Sequence, residues 1–163
     1  MKKIHSKTRA VTSKTIDIES IYRRMKEELG QRARVQLKQD ELWKKILRYH
    51  CDRHSEMEAI SQKIGKHTHN LNQLIGQLTQ YKKTHKAMNL AYSYLSSEIA
   101  RIDKIVDSTN RTIRSVNAGR CVLTNSRGVT HTDTRGLENY VRLKTAQRDK
   151  LKKWKDHVQK YAA

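Results

Sequence analysis

A seven-residue apolar repeat runs in constant phase from Trp43 to Val116. Its a and d positions are Trp43, Ile46, His50, Arg53, Met57, Ile60, Ile64, His67, Leu71, Leu74, Leu78, Tyr81, His85, Met88, Tyr92, Leu95, Ile99, Ile102, Val106, Thr109, Ile113 and Val116. Seventeen of these 22 positions are apolar, whereas about eight are expected from the chain's 36% apolar content. Proline is absent and glycine is scarce, so little interrupts the pattern, and the abundant residues are mostly good helix formers. The chain is therefore expected to be all-α, either a coiled coil or an elongated helical bundle. As one rod, residues 37–117 would extend about 120 Å. As a folded-back bundle, they would break at Gly65–His69 and Lys82–Lys86. Apolar residues beside the seam (Leu47, Ile75, Leu90, Ile105) suit the wider face of a bundle. In either case Ile60, Ile64, Leu71, Leu74, Leu78, Leu95, Ile99 and Ile102 are expected to clamp copies of the chain together.

The flanks read differently. Residues 1–15 form a basic arm in which Thr8–Thr12 has the composition of a short strand. The helical core is expected over residues 16–118. Its first helix, over 16–35, places Ile18, Tyr22, Met25 and Leu29 on one face, with Thr15 or Asp17 as N-cap and Gly30 as a stop or an interior glycine. Residues 119–134 carry β-favouring residues on both sides of Asn125-Ser-Arg-Gly128, the pattern of a hairpin or exposed loop. A basic C-terminal helix is expected over 135–163, capped by Asp133 or Thr134, with Leu151, Trp154, Val158 and Tyr161 on one face.

Charge narrows the function. Lys and Arg number 35 against 16 Asp and Glu, a net charge of +19. Such a surplus repels itself, and a polyanion relieves it. The expected phosphate-binding residues are Lys2, Lys3, Lys7, Arg9 and Lys14 of the arm, Arg23 and Arg24 of the first helix, and Arg148, Lys150, Lys152, Lys153 and Lys155 of the last. Nothing approaches a membrane-spanning apolar run, and no apolar stretch follows the basic start, so neither membrane insertion nor a secretory signal is expected. Cys51 and Cys121 lie too far apart for a CxxC pair, which makes a reducing, cytoplasmic setting the default.

Catalysis has no signature here. There is no glycine-rich phosphate loop, GxSxG or HExxH, and no enzyme activity is expected. His50 and His54 stand four residues apart, a spacing that can hold zinc. Further ligands would have to come from His67, His69 or Cys121, and nothing fixes them, so no metal or other cofactor is expected. The preferred reading makes His50, His67 and His85 polar layers of the seam, which protonation below about pH 6 would loosen. Tyr81 and Tyr92 belong to the seam by phase. Tyr49 and Tyr94 could stack on bases or lie along the bundle, but no interleaving of Lys with aromatics is evident. Duplex binding is therefore favoured over single strands, and DNA over RNA.

Residues 70–79 read Asn-Leu-Asn-Gln-Leu-Ile-Gly-Gln-Leu-Thr. This stretch resembles the NLNQ(I/L)xxx(L/V)N motif of the MobC-type accessory proteins of plasmid mobilisation relaxosomes. Asn70, Leu71, Asn72 and Gln73 match; Thr79 replaces the final Asn, and Gly65 lies further upstream than that family's glycine. The resemblance implies double-stranded DNA binding near a transfer origin, in support of a relaxase. Read by their own chemistry, Asn70 and Gln73 would contact adenine if exposed or form an interhelix hydrogen-bond layer if buried, the second being preferred.

The sequence thus points to a non-enzymatic, oligomer-forming DNA-binding protein. One rival is a viral or nucleoid-type packaging protein that coats nucleic acid and resides in a virion. Another is a coiled-coil assembly protein with an acidic protein partner.

Overall fold

The computed structural model describes residues 17–49 and 52–163. Four helices, α1 (Ile18–Tyr49), α2 (His54–Leu78), α3 (Lys86–Asn117) and α4 (Arg135–Lys160), carry nearly all the structure. A two-stranded antiparallel ribbon, β1 (Leu123–Thr124) with β2 (Thr130–His131), separates α3 from α4. The all-helical expectation with a short hairpin holds. The basic arm, including Lys2, Lys3, Lys7, Arg9 and Lys14, lies outside the described residues, as do Thr15, His50 and Cys51.

The repeat does not make a rod. The helical phase is broken between Leu78 and Lys86, one of the two anticipated places, and again around Asp52–Arg53. The second anticipated break fails, because Gly65–His69 lies inside α2. The division at residue 35 is absent too: α1 runs on through Gly30 to Tyr49. A glycine inside a helix costs only about 1 kcal/mol against alanine, less than thirty-two residues of paired helix return. The chain divides into two compact units, Met1–Tyr81 and Lys82–Ala163.

In the first unit α1 and α2 pack antiparallel. The register is set by Glu28 opposite His67 and Asn70, and by Gln39 opposite Ser61. It carries Ile21 and Met25 towards the apolar stretch Leu71–Leu78, and Ile18, Ile21, Met25, Leu71, Leu74, Ile75 and Leu78 are all buried. Each such side chain contributes about 1.5–3 kcal/mol. Thr79 closes α2 by donating its hydroxyl to the Gly76 carbonyl at 2.7 Å.

In the second unit α3 and α4 are likewise antiparallel, with Arg148 opposite Asp103 and Lys155 opposite Tyr92. Met88, Leu95, Ile99, Ile102 and Val106 of α3, and Leu151 and Val158 of α4, are buried. His85 caps α3, its Nδ1 accepting the Ala87 N–H at 3.0 Å. The same residue ties down the chain terminus, since its N–H donates to the Tyr161 carbonyl at 3.2 Å. At the other end of α3 Gly119 adopts φ 71°. The Gly119 N–H then reaches the Val116 carbonyl and the Arg120 N–H the Ser115 carbonyl, a Schellman closure that a side-chain-bearing residue would strain. Gly128, at φ 75°, closes the ribbon turn, where Asn125 Oδ1 accepts the N–H groups of Arg127 and Val129.

Two sequence expectations need correction. Leu71, Leu74, Leu78, Leu95, Ile99 and Ile102 are buried within a single chain and are therefore not a surface that could clamp copies together; Ile60 and Ile64 are half-buried. His67 and His85 do not form like layers of one seam. His67 Nδ1 stands 2.7 Å from Glu28 Oε2, and His85 is a cap.

Candidate nucleic-acid interface

Helix α4 has one apolar and one cationic face. At 100° per residue, Arg135, Arg142, Lys153 and Lys160 fall within about 20° of one line. All four are exposed. The line is about 37 Å long at 1.5 Å per residue and lies opposite the buried Leu151 and Val158. Lys150 flanks it on one side, also exposed, and the acids Glu138, Asp149 and Asp156 flank it on the other. Ala146, at the middle of the ridge, keeps the surface low between Arg142 and Lys153.

The ridge is anchored at its start by a built turn. Asp133 accepts the backbone N–H of Arg135 at 3.0 Å and pairs with its guanidinium at 2.8 Å. Those bonds hold the Asp133 carboxyl down to about 2, the Arg135 side chain being the main cause and its backbone N–H the next. Asp133 thus holds the first helical N–H from one residue before the N-cap, Thr134, whose own hydroxyl bonds Glu138 and caps no backbone N–H. Arg142 reaches Asn139 within the same face.

The residues expected from sequence separate into three groups. Lys150, Lys152 and Lys153 are exposed on α4, and Arg23 and Arg24 are exposed on α1. Lys155 is half-buried, its ammonium 5.1 Å from the centre of the Tyr92 ring. Arg148 is structural: it bonds Asp103 at 3.1 Å and pairs with Asp149 at 3.5 Å, and Asp103 holds its guanidinium above the usual value. Reading by local density of charge missed Arg135, Arg142 and Lys160, which belong to the ridge by helical phase. Separations of seven and eighteen residues would have found them.

The other candidates for base recognition are mostly committed. Asn70 Nδ2 donates to Glu28 Oε1 at 3.3 Å, the interhelix bond preferred from sequence; Gln73 is exposed. Tyr94 is buried, and the Tyr49 ring carries the Arg48 guanidinium at 5.5 Å. Among the described residues no group of three or more His, Cys, Asp or Glu could hold a metal ion, and no helix is long and apolar enough to cross a membrane. Comparison with protein-family models, curated proteins and solved structures finds no match.

Proposed function

We propose that this chain is a non-enzymatic protein that binds double-stranded DNA through the cationic ridge of α4. The observation that carries the reading is the alignment of Arg135, Arg142, Lys153 and Lys160 on one exposed helix face, with the helix's three acids kept to one flank. A ridge of about 37 Å matches roughly eleven base pairs of duplex at 3.4 Å per step. Lysine and arginine in a row contact phosphates, which position a protein and carry no base sequence. No aromatic side chain lies on the ridge line, so stacking on single-stranded bases has no support there. Arg23, Arg24 and the N-terminal arm add further positive charge.

A grip on phosphates alone also supports coating of the duplex by many copies. The relaxosome-accessory reading rests on residues 70–79, whose Leu71, Leu74, Ile75 and Leu78 are packing residues. Footprinting separates the two, since one protected origin-like site supports the accessory role and uniform protection supports coating. The underlying reading is tested by titrating a labelled duplex with the protein at graded salt. Four to six neutralised phosphates give a log–log slope of roughly −4 to −5. Absence of binding in dilute salt refutes it.

A further inference from the structure

The first unit carries a surface that neither its helix pairing nor the proposed function uses. Of the eight large apolar side chains exposed among the described residues, four lie within Leu37–Tyr49: Leu37 (63% exposed), Trp43 (48%), Leu47 (69%) and Tyr49 (66%). The α1–α2 seam in this stretch needs only Leu42, which is buried, and Ile46, which is half-buried. Trp43 and Leu47 stand one turn apart beside that seam and form a second apolar strip. An exposed cluster of this kind marks an interaction surface.

Charge identifies the occupant. Residues 37–63 hold six bases (Lys38, Lys44, Lys45, Arg48, Arg53, Lys63) and five acids (Asp40, Glu41, Asp52, Glu56, Glu58), a net charge of +1. The other 136 residues hold 29 bases and 11 acids, net +18. Two copies of so basic a chain repel one another almost everywhere. A symmetric contact sets the same patch against itself and therefore needs both signs of charge within the patch. This nearly charge-balanced stretch offers that beside four exposed large apolar side chains, Leu37, Trp43, Leu47 and Tyr49. We infer that the Trp43–Leu47 strip is the contact between two copies of this chain, formed by the outer half of the α1–α2 hairpin. It replaces the heptad seam, whose Leu71, Leu74, Leu78, Leu95, Ile99 and Ile102 are already buried.

Sedimentation velocity of the full chain without nucleic acid tests this. Mass should rise from one chain of 19.1 kDa towards two as concentration increases over roughly a hundredfold range. Association should strengthen with salt, which screens the overall repulsion and spares the apolar contact, the opposite sign to nucleic-acid binding. In a Trp154→Phe background, Trp43 emission should shift to the blue with the same concentration dependence. Leu47→Asp and Trp43→Ser should each weaken association on the order of thirtyfold with helicity unchanged. A single-chain mass throughout with unshifted Trp43 emission overturns the inference. So does self-association unaltered by both substitutions, or an open ladder of larger species. A chain that binds duplex yet stays single overturns this inference alone; one that pairs but ignores DNA overturns only the proposed function.

Discussion

The two helix pairs are built to the same plan and finished differently. Both are antiparallel, and each takes one of its helices, α2 or α3, from the seven-residue repeat. In α3 the buried positions extend from Ala87 to Val106 and resume at Val116. In α1 they cluster at Ile18–Met25, and only Leu42 is buried beyond that. The second unit also carries the larger surplus of charge, 18 bases against 7 acids, where the first has 17 against 9. A helix pair with a continuous core can present an entire outer face to a polyanion. A pair whose core fades at one end has apolar surface to spare and needs a different partner for it.

Truncation should expose that difference most strongly. Ile102→Ala, at a fully buried site in α3, should cost about 2–5 kcal/mol by urea unfolding, because lost burial and a residual cavity add. Leu47→Ala in α1 should stay within about 0.5 kcal/mol in dilute solution. Equal losses would mean that the outer half of α1 is buried in the single chain. A smaller effect is expected at the α3 cap. His85→Ala should cost about 1 kcal/mol, and His85→Asp should restore most of it, because an aspartate can accept the same Ala87 N–H. If Asp fails to rescue, the loss does not come from the Ala87 bond, because the backbone tie of residue 85 to Tyr161 is kept in both variants.

The smallest expected effect is local and pH-dependent. Asp133 titrates at about 2 in the folded chain against an ordinary 3.8. A lowered folded value stabilises above the unfolded value and is lost as pH falls through the folded one. The Asp133–Arg135 turn should therefore be complete above about pH 4 and loosen towards pH 2. The carboxyl carbon shift of Asp133 in NMR reports this, and a midpoint near 4 would show the turn to be open.

Much of the fold was legible because periodicity and turn chemistry act locally. Asn125 and Gly128 predicted the ribbon turn, and Leu151 and Val158 predicted the buried face of α4. A heptad count, however, cannot tell which partner a seam meets. Leu71 and Leu95 fit an intermolecular coil as well as an internal pair, and only the break at Thr79–His85 decides between them. That break contains no proline or glycine. The candidate site was half legible. Lys150, Lys152 and Lys153 were found by density of charge, whereas Arg142 and Lys160 required helical phase. Arg148 looked like a phosphate ligand until Asp103, 45 residues away, was brought to it.

The central claim is that the α4 ridge, more than overall charge, holds duplex DNA. It is tested most directly by fluorescence anisotropy of a labelled duplex with two triple variants of equal charge change. Arg142→Glu/Lys153→Glu/Lys160→Glu should lower affinity about a hundredfold or more and flatten the salt slope by about three. Lys104→Glu/Arg111→Glu/Arg114→Glu, at exposed positions of α3, should lower it by less than about tenfold with the slope nearly kept. Equal losses from the two variants would contradict the account.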